Sequence, residues 1–290
     1  MPNMETPQIQ KKQRVFKIAA AATTDNMPIK TTEILLPNLI ENTVPSAIVI
    51  SDEIRISLAS NFSKSVKGHH LVNDDPISGS PWEDINAMVL NASGCKVISQ
   101  SNGSHKPGGD LSCSLGGFSN KSITYSSGKK SFVFSSYRLT TVCSDKTHGK
   151  IKDIIAEINR RKDFAFYSII VREDTTKQIL YDWYLIPSDF PVLNPASYNW
   201  RPKIGKTGKN KDDVVGWETD TINGSSMSIT FSMSSQLWID VNITEEMKKF
   251  IVGSCHVNRG RKYNYIQLYE KDESDKLAKD YTMSQSNTSS

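Results

Sequence analysis

The chain has 290 residues, a formal net charge of +4, 37% hydrophobic and 23% charged residues. That suffices for one large domain or two small ones with a sizeable core, and it excludes a chain too polar to fold. No apolar run approaches the length of a membrane span, and the N-terminal stretch MPNMETPQIQKKQRVFKIAAAA lacks an apolar core ahead of a cleavage site, so it reads as a lead-in rather than a signal peptide. Cys95, Cys113, Cys143 and Cys255 lie far apart with no Cys-x-x-Cys pair, which argues against a zinc cluster and for reduced core residues in a cytoplasmic protein. The mild positive charge permits a nucleic-acid partner without requiring one.

In chain order, residues 1–30 read as a poorly ordered lead-in. Residues 31–75 alternate short apolar runs with polar stretches and carry no assignable pattern. Ser80-Pro81-Trp82-Glu83 is a helix start: serine caps, proline suits the first turn and glutamate completes a capping box. That helix is expected to reach Asn91 and stop at Gly94. A short strand at Val97-Ile98 and a polar loop follow. Asp110 to Leu115 alternates like a strand, Gly116-Gly117 turns it, and Phe118 to Tyr125 returns, with a further strand over 131–139. Ile151, Ile154, Ile155 and Ile158 give an amphipathic helix over 149–162. Strands are expected at 164–172, 178–186, 227–241 and 263–269, with a long loop over 187–213, a short helix after Thr244, and a disordered tail over 271–290. This order predicts an α/β fold, a mixed sheet flanked by helices, forming one domain over 31–270.

The informative segment is Gly103-Ser-His-Lys-Pro-Gly-Gly-Asp110, followed by Ser119-Asn-Lys121. A hairpin that carries Asp110 on one strand and Lys121 on the other brings the two side chains to one end of a sheet. Hydrolysis of a phosphodiester needs a carboxylate to hold a divalent metal and a cation to orient water or offset developing charge.

With the helix bearing Glu83 and the strand Phe134-Ser-Ser-Tyr-Arg-Leu-Thr140, this arrangement resembles the PD-(D/E)XK nucleases, and among them the type II restriction endonucleases. The resemblance covers residues 80–140. It implies Mg2+ as cofactor, double-stranded DNA as substrate, 5′-phosphate products, a homodimer that matches a symmetric site, and a cognate DNA methyltransferase in the same system. Asp110 is then the metal ligand and Lys121 the residue that positions water. Two positions depart from the pattern: Gly109 stands where proline is common, and Ser119 where the second carboxylate belongs. Glu157 on the following helix, or Glu83 on the preceding one, is the candidate replacement for catalysis and metal binding.

Each assignment has a plainer counterpart. Asp110 also suits a turn after two glycines, Lys121 an exposed strand edge, Glu83 the capping box and Glu157 a solvated helix face. Candidate DNA contacts are His105 and Lys106 in the loop, Arg138 on its strand, the cations Arg201, Lys203, Lys206 and Lys209, and Gln236, which suits an adenine edge. His105 has no second histidine at ligand spacing, and Gly205-Lys-Thr-Gly-Lys lacks the spacing of a nucleotide-binding loop. The alternatives are a catalytically silent DNA-binding protein on the same fold and a structural or protein-interaction domain.

Overall fold

The computed structural model describes residues 50–101, 109–125 and 130–287. The first element is a helix with no clear signature in the sequence, α1 (Asp52–Val72). Ser51 Oγ accepts from Ile54 N at 3.4 Å, and Asp52 and Glu53 occupy the first turn, where the helix dipole favours negative charge. Leu58, Phe62, Val66 and His70, four residues apart, form its buried stripe.

Helix α2 (Ser80–Ala92) forms where expected but starts differently. Its N-cap is Gly79 at φ +52°, a left-handed conformation that glycine adopts without strain, and no side chain caps the helix. The expected capping box is therefore absent, which leaves the Glu83 carboxylate for other partners. Gly94, at φ +81°, ends the helix as read from the sequence.

Among the described residues two sheets form rather than one. The first is mixed and contains β1 (Val97–Gln100), β2 (Leu111–Cys113), β3 (Gly116–Tyr125), β5 (Phe166–Asp174), β6 (Gln178–Pro187) and β11 (Ile251–Asn258), in the order β1-β2-β3-β5-β6-β11. Only β3 and β5 run parallel, with Phe118 opposite Phe166 and Lys121 opposite Ile169. Their connection carries β4 (Ser131–Arg138) and helix α3 (Ile151–Arg161). The second sheet is antiparallel, ordered β4-β10-β9-β8-β7, with β7 (Trp200–Ile204), β8 (Val214–Thr219), β9 (Ser226–Thr230) and β10 (Gln236–Asn242). The expected long loop over 187–213 thus contains β7 and three 3-10 turns, Pro191–Leu193, Pro195–Ser197 and Gly208–Asn210. The hairpin turn falls at Ser114-Leu115, and Gly116-Gly117 open β3 instead. A Cβ on Gly117 would lie 3.0 Å from Asp163 O and 3.1 Å from Phe164 Cα, so close packing, not turning, favours glycine there.

Burial separates two apolar layers. Leu58, Phe62, Trp82, Val89, Ile170 and Trp183 pack α1 and α2 against one face of the first sheet. Phe132, Phe134, Ile154, Ile158, Ile169, Tyr184, Leu237 and Ile239 fill the space between the two sheets and α3. The result is a layered α/β structure. All four cysteines are buried and unpaired. After the four-residue helix α4 (Glu245–Lys248) and β11, the chain is helical again in α5 (Tyr265–Asn287), not structureless over 271–287 as composition suggests. Lys271–Asp275 and Lys276–Asp272, both at (i, i+4), support that polar helix. Among the described residues, no helix is long and apolar enough to cross a membrane.

Candidate functional site

The pairing of β2 with β3 extends to Asp110, whose N donates to Phe118 O at 2.7 Å. The next N–H along β3 beyond Phe118 on that side is that of Asn120. The Asp110 carboxylate takes this donor: Asn120 N to Asp110 Oδ2 is 2.6 Å. An ionised carboxylate that accepts a backbone N–H makes one of the stronger hydrogen bonds available. Ser119, 5% exposed, adds its Oγ to the same oxygen at 3.4 Å. The serine at the carboxylate position therefore helps fix the aspartate.

Lys121 Nζ lies 3.9 Å from Asp110 Oδ2, at the outer limit of an ion pair, and its side chain is 22% exposed. Burial pulls the Lys121 ammonium below the usual lysine range, and the charges of Asp110 and Glu83 only partly restore it. Glu83 reaches this place from the first turn of α2. Its carboxyl is pushed above the usual carboxylate range, first by burial, then by the negative charge of Asp110, with Lys121 acting in the opposite sense. Glu83, Asp110 and Lys121 are thus within one another's electrostatic field beside β3. The start of α2 is fastened there by Gly79 N, which donates to Ser122 Oγ at 3.0 Å.

Below this group lies a polar pair that the sequence does not announce. Asn86 on α2, fully buried, donates through Nδ2 to Asn120 Oδ1 at 2.6 Å. Gly109 also belongs to the site: a Cβ there would meet Phe118 O at 2.9 Å and Phe164 Cβ at 3.3 Å. The ring of Phe164 is stacked on Tyr137, which sits at φ +38° in a bulge where β4 pairs with β10.

Glu157 is not part of this group. Its carboxylate accepts from Arg160 Nε at 2.7 Å, from Arg161 Nε, and from Thr141 Oγ1 at 3.2 Å. These partners, Arg160 foremost, hold its carboxyl down at about 2 despite burial. The expectation that Glu157 supplies the second metal ligand gives way to a structural role: it ties α3 to the segment after β4.

Among the other candidates, His105 and Lys106 lie outside the described residues. Arg138, exposed, ends β4 opposite Gln236 on β10. Arg201 and Lys203 stand on β7, where Arg201 pairs with Glu218 at 3.1 Å and Lys203 Nζ donates to Thr230 Oγ1 at 2.9 Å. Lys206 and Lys209 are exposed in the connection from β7 to β8. Gln236 and Trp238 alternate with the buried Leu237 and Ile239 on β10, so they share the outer face of the second sheet; Trp238 is 45% exposed. Trp200 and Trp217, which bracket the basic stretch, instead donate through Nε1 to Pro195 O and Gly149 O, both at 3.0 Å.

Among the described residues, no three His, Cys, Asp or Glu side chains cluster as metal ligands. The charged group around Asp110 therefore offers two carboxylates and a lysine. Comparison of the chain with protein-family models, with curated proteins and with solved structures finds no match.

Proposed function

We propose that the protein is a magnesium-dependent endonuclease of the type II restriction kind, with a core like that of the PD-(D/E)XK nucleases, that cuts double-stranded DNA and leaves 5′-phosphates. The observation that carries this reading is the Asp110–Lys121 pair at 3.9 Å, with Glu83 on α2 near enough for its charge to act on Lys121 and for Asp110 to act on it. The parallel pairing of β3 with β5, with α3 in the connection, supports it as well.

The residues present fit the ion. Mg2+ is commonly held by only one or two carboxylates, with water and substrate phosphate completing its shell, and Asp110 and Glu83 supply two hard oxygen donors. When bound, Mg2+ lowers the pKa of a water and offsets charge on the phosphate. The protein's own contributions follow from the geometry. Asn120 N–H and Ser119 Oγ hold the Asp110 carboxylate in one orientation. Lys121, its proton loosened by burial, hydrogen-bonds the attacking water through Nζ and stabilises negative charge as it develops. Arg138, Arg201, Lys203, Lys206 and Lys209 serve phosphate contact, and Gln236 faces outward as a reader of base edges. Symmetric cutting calls for a homodimer, and protection of host DNA calls for a cognate methyltransferase.

The test is digestion of a large unmethylated phage DNA by the purified protein, with Mg2+ and with chelator, beside an Asp110→Ala variant. Discrete fragments that require Mg2+ and disappear in the variant are expected. Intact DNA with folded protein, alongside salt-sensitive binding of duplex, would make the chain a DNA-binding protein without cleavage.

A further inference from the structure

The Asn86–Asn120 pair carries one more step. Both side chains are buried, 0% and 7% exposed, in a layer otherwise built from Trp82, Ile85, Phe118 and Ile170. They share one short hydrogen bond, yet Asn86 Oδ1 and Asn120 Nδ2 have no partner. Turning both amides over merely exchanges which oxygen and which nitrogen are bonded, so either arrangement leaves one donor and one acceptor unmet. Buried polar groups left unsatisfied cost free energy, and two apolar side chains of similar size would avoid that cost.

The position of the pair explains its presence. Asn120 carries, on its backbone, the N–H that fixes Asp110. Asn86 is one turn beyond Glu83 on the same helix, and residues three apart on a helix share a face. The Asn86–Asn120 bond thus joins the helix that presents one carboxylate to the strand residue that holds the other. Gly79 N–Ser122 Oγ pins only the start of that helix.

We propose that Asn86 and Asn120 are positioning residues that set the distance between the Glu83 and Asp110 carboxylates, and hence the affinity of the site for a divalent cation. The inference rests on the nuclease reading above. Metal sites depend on such supporting hydrogen bonds, whose loss typically weakens metal binding about 10- to 100-fold.

The experiment is binding of Mn2+ to the full-length protein, without DNA, read from the free-ion electron paramagnetic resonance signal, with thermal melting in parallel. Four proteins are compared: wild type, Asp110→Asn, Asn86→Ala, and the double variant Asn86→Leu/Asn120→Leu. The double variant keeps the backbone N–H of residue 120 and removes both unmet polar atoms. It is expected to melt no lower than wild type and yet bind Mn2+ at least about tenfold more weakly. Asn86→Ala should weaken binding similarly. A folded variant of either kind with wild-type Mn2+ affinity overturns the positioning role. Equal Mn2+ affinity in wild type and Asp110→Asn overturns the metal site itself, and with it the nuclease reading.

Discussion

Replacing Gly109 by alanine tests how the structure fixes Asp110. The added Cβ would stand 2.9 Å from Phe118 O, about 0.5 Å inside ordinary van der Waals contact. The obstacle is backbone, and the same Phe118 O accepts from Asp110 N at 2.7 Å. Relief therefore has to come from moving the aspartate's own segment. A shift of about 0.5 Å would lengthen that bond to roughly 3.2 Å, the edge of useful geometry. A misplacement of 1 Å can cost a reaction about 10²-fold, so roughly a tenfold loss in single-turnover cleavage is expected. Overpacking of this kind costs about 1–3 kcal/mol, a fall in melting temperature of several degrees. Proline, the residue the nuclease reading expects at this position, carries the same Cβ and should be no better tolerated. The assay is Mg2+-dependent cleavage under single turnover, with melting of each variant alongside. Wild-type cleavage and melting by Gly109→Ala would refute the claim that this contact sets the position of Asp110.

Lys121→Met should lower the cleavage rate by about 10²-fold or more while leaving duplex binding within a few-fold, measured by fluorescence anisotropy in Ca2+; a variant that still cuts at the wild-type rate removes the lysine from the chemistry. Because the folded-state pKa of Glu83 is raised, its carboxylate takes up a proton at higher pH than an ordinary glutamate as pH falls. The Mg2+ concentration for half-maximal cleavage should therefore begin to rise above the usual carboxylate range, and Glu83→Gln should show a high, pH-insensitive requirement. Glu157 has a depressed folded-state pKa, so its stabilising contribution is present above the unfolded value of 4.5 and is lost as pH falls through about 2. Glu157→Gln should accordingly cost about 2 kcal/mol at neutral pH, converge on wild type near pH 2, and leave the Mg2+ requirement unchanged. If Lys206, Lys209 and Lys211 each meet a phosphate, changing all three to alanine should flatten the slope of log binding constant against log salt by about 0.9 for each phosphate no longer neutralised.

The sequence by itself determined the elements whose signals are local. Helix α2 is legible from Pro81 and the glycine stop at Gly94, α3 from its isoleucine spacing, and the hairpin from the Gly116-Gly117 pair, though the turn falls just ahead of it. Asp110 and Lys121 can be paired from the sequence because one short hairpin separates them. Helix α1 carries a buried stripe at intervals of four, but the serines and lysines between those positions dilute the pattern. Helix α5 has no apolar stripe to detect, and its order rests on ion pairs whose partners lie one turn apart.

What tertiary structure alone decided are relations between segments distant in the chain. Nothing local to Ser131–Arg138 says that β4 leaves its hairpin neighbour to pair with β10, so the sequence pattern predicts one sheet where two form. Glu83 and Glu157 are equivalent as sequence candidates. The Arg160 and Arg161 that hold Glu157 lie one turn along its own helix, whereas only packing brings Glu83, released from capping by Gly79, into the field of Asp110 and Lys121. Asn86 and Asn120 are likewise ordinary polar residues until α2 lies on β3 and buries them against each other. The physical reason is common to all three cases. Propensity and periodicity act within a few residues, whereas charge, burial and unmet hydrogen bonds acquire their values only from what the folded chain sets beside them.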